Sequence, residues 1–288
     1  DTDGSYYTYE EYKTLIKENQ TDKDGNLIYL YSNNLEEQYA YIDAAKNKGY
    51  NVLLMDGQLD VAMVSMLEQK LEKCRFTRVD SDVVDRLIAK DEPKGEELAA
   101  EKKDILSSVF RSQLPSMNKV EFNVEAQAMG ENGAPIMITQ SEYMRRMKEM
   151  SHIQAGMSFY GEMPDMFNLV LNSDHKLVKQ VLEDANTACA DELLPIETSI
   201  ATLNFEQSQL QKKQEGMKYD EIPQADKDAL SEVEKKIADE KSKKDAVLGK
   251  YAGGNKVIRQ LVDLALLQNN MLKGEALTNF VKRSIEMI

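Results

Sequence analysis

Within the first 90 residues, short apolar runs alternate with stretches of helical period, and few folds accommodate that alternation. Leu27-Ile-Tyr-Leu-Tyr31 is apolar and aromatic throughout, which suits a strand buried on both faces. Leu35 to Lys48 follows with helical period and stops at Gly49. Asn51-Val-Leu-Leu-Met55 predicts a second strand, Leu59 to Leu71 a second helix, and Cys74-Arg-Phe-Thr-Arg78 a third strand. Tyr9 to Glu18 predicts a helix leading into this series. Strand–helix–strand–helix–strand with short connections requires right-handed crossovers, so the expected product is a small, mostly parallel sheet layered between helices.

The pattern then changes. Ala89 to Glu97 is polar, with Pro93 and Gly95, and reads as a linker. Leu98 to Leu114 has the period of an amphipathic helix, and Val120 to Val124 alternates like a half-exposed strand. Glu131-Asn-Gly-Ala-Pro135 predicts a turn from which Ile136-Met-Ile138 pairs back as a hairpin. Ser141 to Met150 predicts a short helix with one Arg/Lys/Glu face. At about 100° per residue, Tyr143, Met144, Met147 and Met150 share an arc of roughly 120° on its other side. Phe167 to Leu171 predicts a strand, with Asp174 as the cap of a helix running through Leu182. This half is mixed α+β.

Residues 191 to 250 are different again. Ile196, Ile200, Leu203, Gln207, Leu210, Gln214 and Met217 follow 4-3-4-3 spacing, and Leu230, Val233, Ile237, Glu240, Lys244, Val247 and Tyr251 repeat it after Pro223. The spacing predicts two helices of 20-odd residues forming an antiparallel coiled-coil hairpin with a weak, partly polar seam. Residues 211 to 250 hold 10 Lys and 10 Asp/Glu, so the acidity of the chain lies elsewhere. Lys256 to Met271 is apolar around more than half its circumference, and Glu275 to Met287 adds Leu277, Phe280, Val281 and Ile285. A helical pair this apolar needs a cover, from its own domain or from a second copy.

Catalytic chemistry finds little support. The only histidines, His152 and His175, have no carboxylate or cysteine at ligand spacing. Asp22-Lys-Asp24-Gly25-Asn26 has the look of a calcium loop, but the Leu27–Tyr31 strand occupies the place of its closing glutamate, so a β-turn is expected. Ser32-Asn33-Asn34, after the first strand, lacks the glycines that let a phosphate approach the backbone. Gly253-Gly254 reads as a hinge between helices, and no Gly-x-Ser-x-Gly occurs. The net charge of −14 argues against nucleic acid as a partner. No apolar run approaches the 18 residues or so of a membrane span. Cys74 and Cys189 lie far apart, consistent with a reduced, cytoplasmic setting. The start, Asp1-Thr-Asp-Gly-Ser5, has neither signal-peptide character nor an initiator methionine, so a piece of a longer polypeptide is expected.

Methionine is the better lead, at 15 residues with no tryptophan. A methionine face is flexible and polarisable and adapts to many apolar partners. Met63 reads by itself as ordinary core, whereas the segment Met157 to Met166, with Phe159 and Tyr160, is too apolar for an idle loop.

Taken in order, these pieces resemble a known family. Tyr9-Glu-Glu-Tyr12, Leu27–Tyr31 and Lys48-Gly-Tyr-Asn-Val-Leu-Leu-Met55 with Leu59-Asp60 are similar to the small α/β end of the middle domain in the heat-shock protein 90 chaperones. Thr139-Gln-Ser-Glu-Tyr-Met-Arg-Arg-Met147, Leu171-Asn-Ser-Asp-His175, Leu261-Val-Asp-Leu-Ala-Leu-Leu267 and Phe280-Val-Lys-Arg-Ser-Ile285 are similar to the C-terminal domain of bacterial members. The resemblance covers residues 6 to 88, 98 to 182 and 256 to 288. It implies a small three-layer α/β/α domain over residues 1–90, followed by a mixed α+β dimerisation domain over 91–288. The coiled-coil hairpin, about 184–255, is then an insertion, since the typical family connection there is short. It further implies the C-terminal part of an ATP-driven chaperone whose ATP- and Mg-binding ATPase domain lies upstream, so that this piece carries no cofactor and no ATPase activity.

Homodimerisation is expected through Val257, Ile258, Leu261, Leu264, Leu267, Leu277, Phe280, Val281 and Ile285. Non-native client proteins are expected at Met144, Met147, Met150, Phe159, Tyr160, Met63 and Met66. Some bacterial members carry a tryptophan near the position of Ala62, which this chain lacks. A coiled-coil scaffold docking a dedicated partner is the alternative, and a small-ligand α/β enzyme comes third.

Overall fold

A computed structural model describes residues 1–57, 59–91, 97–151, 158–218 and 221–287, apart from the side chains of Val61, Ser158 and Tyr160. In chain order the elements are α1 (Tyr9–Ile16), β1 (Leu27–Ser32), α2 (Tyr39–Asn47), β2 (Val52–Leu54), α3 (Asp60–Lys70), β3 (Cys74–Arg78), α4 (Val84–Leu87), α5 (Ala100–Arg111), β4 (Val120–Gln127), β5 (Ile136–Thr139), α6 (Glu142–Ser151), α7 (Ser158–Glu162), β6 (Asp165–Asn172), α8 (Lys176–Gln214), α9 (Gln224–Gly254), α10 (Lys256–Gln268) and α11 (Gly274–Glu286). Residues 92–96 of the expected linker and His152 lie outside the described residues. The chain divides into two compact units. One comprises Asp1–Leu98, Pro115–Val178 and Gln260–Ile288; the other comprises Ala99–Leu114 and Lys179–Arg259.

In the first unit, β1 lies between β2 and β3, parallel to both. Its side chains alternate between two apolar clusters, as the pleat requires. Ile28 and Leu30 pack with Tyr41, Ile42 and Ala45 of α2 and with Leu87 of α4. Tyr29 and Tyr31 pack with Tyr12 and Ile16 of α1, Val64 of α3 and Phe76 of β3. A strand with helices on both faces has no polar side, which is why Leu27–Tyr31 reads as unbroken apolar sequence. Thr8 starts α1 with a capping box: its hydroxyl accepts from the Glu11 N–H, and the Glu11 carboxylate accepts from the Thr8 N–H at 2.8 Å. Asp22 builds the expected turn, its Oδ1 accepting from the N–H groups of Asp24 and Asn26 at 3.0 and 2.7 Å.

The second sheet of this unit departs from expectation. Ile136–Thr139 does not pair back onto Val120–Gln127; β6 lies between them, parallel to β4 and antiparallel to β5. The centre of a sheet is its most desolvated place, and Leu169, Val170 and Leu171 of β6 are fully buried there. The half-exposed strand β4 takes an edge. The turn after β4 is built on Asn172, whose side chain accepts from the Met129 N–H and donates to the Gly130 carbonyl. Tyr41 ties the first sheet's helix layer to β5 and to the residue after α10, donating to the Ile138 carbonyl and bonding Asn269 at 3.1 Å.

The second unit holds α5, the long helices α8 and α9, and the start of α10. Helix α8 runs through Leu182 as expected and continues without a break into the first helix of the hairpin, 39 residues in all, about 58 Å at 1.5 Å per residue. Pro195 inside it is on the exposed side, where water can solvate the carbonyl that the missing N–H leaves unpaired. Glu197 meets Lys244, Gln207 meets Glu234 and Gln214 meets Asp226, so position falls along α9 as it rises along α8 and the two helices are antiparallel. Lys244, at a polar seam position, is buried. Burial disfavours its charge, but Asp104 of α5 at 3.0 Å and Glu197 of α8 at 3.3 Å outweigh it and raise its pKa. One ammonium thus fixes the register of three helices.

The start of α8 also corrects a sequence expectation. Asp174 is not its cap, because the carboxylate accepts from the Gly130 N–H at 2.9 Å. The ring of His175 takes that place, Nδ1 accepting from the Leu177 N–H at 3.2 Å. His175→Ala is expected to lower stability by about 1 kcal/mol, the usual worth of an N-terminal cap, measured as a shift of the urea midpoint.

Candidate functional site: a charge-docked helix beside exposed methionines

Helix α6 carries the methionine stripe, and the structure turns its other face inward. Glu142 and Arg145 are 9 % and 5 % exposed, whereas Met144, Met147 and Met150 are each only half-buried and Tyr143 is 63 % exposed. The stripe is therefore not core. The charged face supplies the contacts of α6 to the first sheet, and neither apolar cluster of that sheet includes a residue of α6.

The contacts form a ladder of alternating charge. Glu142 Oε1 accepts from Arg145 Nη2 at 2.7 Å, from Arg146 Nε at 2.6 Å and from the Tyr31 hydroxyl at 3.0 Å. Arg145 Nη1 reaches Glu149 at 2.6 Å, and Arg146 Nη1 reaches Glu68 of α3 at 2.6 Å. Arg78 of β3 lies 3.8 Å from Glu149 and is held by Asp80 at 2.5 Å. The helix spacing makes this possible, since residues three and four apart share a face. Burial would push the Glu142 carboxyl up, but Arg145 and Arg146 prevail and hold it below the usual carboxylate range. Burial, with Glu142 beside it, pushes the Tyr31 phenol up to about 12. Burial also disfavours the Arg145 and Arg146 charges, yet the facing anions raise both pKa values, so both guanidiniums stay charged.

The same side chains serve the open edge of β3. The Phe76 N–H donates to Glu68 at 2.6 Å, the Arg78 N–H donates to Glu142 at 3.2 Å, and the Phe76 carbonyl accepts from Arg146 at 2.6 Å. An uncovered edge presents such groups to any passing chain, and here α3 and α6 satisfy them with side-chain atoms.

Around this helix the apolar side chains point outward. Met63 and Met66 of α3 are 40 % and 43 % exposed, which overturns the reading of Met63 as ordinary core. Leu59, just before α3, and Phe159 of α7 are also exposed. Met144 shares a small cleft with Met163, Pro164 and Met166, below Lys148, whose ammonium pairs with Asp165 at 2.7 Å. Met157 and the side chain of Tyr160 lie outside the described residues. Residues 158–166, expected as loop, contribute α7 and the start of β6.

From Gln260 onward, α10 is joined to α11 by polar contacts. Arg283 donates to Gln260 at 2.9 Å and pairs with the buried Asp263 at 2.5 Å, while Gln260 donates to Ser284 at 2.7 Å. Of the expected interface residues, Ile258, Leu261 and Phe280 are buried in the chain's own packing, and Val257 and Leu277 are half-buried. Leu264, Leu267, Val281 and Ile285 are exposed.

The sequence reading picked out the methionines and missed Glu142, Arg145, Arg146, Glu68 and Tyr31. A signal was present: Glu142 precedes Arg145 and Arg146 by three and four residues, a pairing geometry on one helix face. Nothing local said that this face would be the buried one.

No protein-family model matches this chain. Chaperone protein HtpG of Bacteroides fragilis is 69 % identical over all 288 residues, that of Bacteroides thetaiotaomicron 67 % and that of Porphyromonas gingivalis 44 %. In each case the chain spans 42 % of the relative's length. The match takes in residues 176–254, so these relatives carry a corresponding segment. The chain belongs to the HtpG chaperones of the heat-shock protein 90 family and corresponds to their C-terminal part.

The Glu142 carboxyl has a depressed pKa in the folded chain, so its contribution is present above its unfolded value, about 4.3. That contribution is lost as pH falls through the folded value. Protection of the α6 amides against hydrogen exchange, taken relative to the intrinsic rate at each pH, should therefore fall on acidification below about pH 4. Glu142→Gln, which leaves two guanidiniums without their shared partner, should cost about 3 kcal/mol at neutral pH.

Proposed function

We propose that this chain is the dimerising and client-holding part of a cytoplasmic, ATP-driven chaperone. The observation that carries the reading is the 67–69 % identity to the HtpG chaperones along the entire chain. Residues 1–90 are the small α/β/α end of the middle domain and residues 91–288 the dimerisation domain, with the α8–α9 hairpin as an antiparallel coiled-coil arm. ATP binding and hydrolysis, with Mg, belong to the longer protein outside these residues. The partners are a second copy of the chain and non-native proteins.

Pairing of two copies is supported by the exposed aliphatic residues of the terminal helices. Leu264 and Leu267 lie one and two turns beyond Gln260, and Val281 and Ile285 flank Arg283; the Gln260–Ser284 and Arg283–Asp263 contacts hold the two helices together. Ile258, Leu261 and Phe280 shape this pair from inside. A symmetric interface covers such a face with its own copy and makes further contacts between two chains effectively intramolecular. Client holding is supported by Met63, Met66, Leu59, Tyr143 and Phe159, exposed on or beside the helices around α6. Flexible thioethers suit a surface that meets many unrelated apolar sequences.

The second reading, a scaffold whose arm docks a dedicated partner, draws on Leu194 and Phe205 of α8, each 68 % exposed. Deleting residues 191–250 separates the two. Retained dimerisation and client holding favour the chaperone reading, and loss of one partner alone favours the scaffold.

Light-scattering mass should give a dimer for the chain and a monomer for Val281→Glu with Ile285→Glu; a monomeric parent chain would refute the pairing. Met63→Glu with Met66→Glu should weaken holding of an unfolded protein about ten-fold, or 1.4 kcal/mol, while the dimer persists. Unchanged holding would place the client elsewhere.

A further inference from the structure

The edge of β3 is covered by side chains that imitate a strand. In the parallel pair with β1, residues 73 and 79 of the β3 segment bond across the ladder through the Lys73 carbonyl and the Val79 N–H, so the groups at 76 and 78 point away from it. A neighbouring strand would offer an acceptor, a donor and an acceptor to Phe76 N–H, Phe76 C=O and Arg78 N–H. Glu68, Arg146 and Glu142 offer that same sequence of polarities, at 2.6, 2.6 and 3.2 Å. A cleft of about 320 Å³ opens beside this edge, walled by Arg75, Thr77 and Ser81 and by Glu142 and Tyr143 at the start of α6.

We propose that the β3 edge is a docking site for an extended backbone segment of a non-native polypeptide, closed by Glu142 and Arg146 of α6 together with Glu68 of α3, and opened when α6 lifts away and releases Glu68 from Arg146. The proposal rests on the client-holding reading and adds to it a second mode, in which backbone hydrogen bonds rather than apolar side chains do the holding. Three observations support it. The groups that an incoming strand needs are present in the right alternation and are occupied by exchangeable side-chain atoms. The cover is held to the first sheet by ion pairs, and no residue of α6 belongs to the two apolar clusters described for that sheet. The closed state is also imperfect: Arg145 Nε is buried without a hydrogen-bond partner. An extended peptide has the complementary chemistry at no cost in sequence specificity, which suits a site for non-native chains.

The test uses the whole chain and a Thr/Val heptapeptide, with a counterpart N-methylated at every residue. In Glu142→Gln with Arg146→Ala, the Arg78 amide, which Glu142 caps, should exchange about ten-fold faster. The Leu27 and Val79 amides, which bond across the β1–β3 ladder, should keep their protection and report that the sheet is folded. The heptapeptide should bind this variant about ten-fold more tightly than the parent, and N-methylation should abolish the gain, since it removes backbone donors and leaves the side chains. If the variant loses ladder protection, the parent chain in about 1 M NaCl serves instead, because salt weakens the cover without mutation. An Arg78 amide that does not respond, an affinity that does not rise, or a gain that survives N-methylation would each overturn the proposal. Met63→Glu with Met66→Glu should leave the peptide gain intact, so failure at the edge and failure of the methionine surface are read separately.

Discussion

Glu142 keeps its carboxylate almost out of water, and a carboxylate in that position needs cations and donors on every side. Arg145, Arg146 and the Tyr31 hydroxyl provide them, and Glu149 and Glu68 in turn accept from the two guanidiniums. Once this set is assembled, the orientation of α6 is fixed. A ten-residue helix has one face to bury, and burying the charged one leaves the methionines to the outside or to its rim. The same commitment seals the β3 edge and ties α3 to α6. The outward placing of the methionines around α6 thus follows from where one carboxylate sits.

The division of labour between polar and apolar contacts runs through the rest of the chain. Apolar side chains build the two faces of the first sheet and the centre of the second, where direction matters less than volume. Polar contacts set register and angle: Lys244 among Asp104 and Glu197, Arg283 on Asp263, Tyr41 on Ile138 and Asn269. Buried charges add little net stability, because desolvation consumes most of the attraction, but they penalise every misaligned arrangement. A chain that leaves apolar side chains such as Met63, Met66 and Phe159 exposed gains from such pins, since apolar contacts alone would tolerate many packings.

The elements of the first 90 residues were legible because each has a local cause. Leu27–Ser32 is apolar in both directions, Gly49 ends a helix with a positive φ of 76°, and Thr8 with Glu11 writes a capping box into the chain. The strand order of the second sheet was not legible in that way. Turn residues at 131–135 promise a hairpin, and only the competition for the sheet centre awards that place to Leu169–Leu171 instead. His175 in place of Asp174 is a similar case: both side chains can cap, and the Gly130 N–H, distant in sequence, claims the carboxylate.

By itself the sequence determined the parallel arrangement of the first sheet, the two long antiparallel helices and the amphipathic character of α6, because periodicity is a local property that any folded state must respect. Its resemblance to the heat-shock protein 90 chaperones agrees with the identity found along the whole chain. Tertiary structure decided which face of α6 turns inward. That choice depends on Tyr31, Glu68 and Arg78, which lie more than 60 residues from α6 in the chain, and on whether their charges find partners out of water. A hydrophobicity pattern ranks the methionine face as the one to bury. The ion pairs of the other face outweigh it because they also satisfy backbone groups of β3 that no apolar side chain can satisfy.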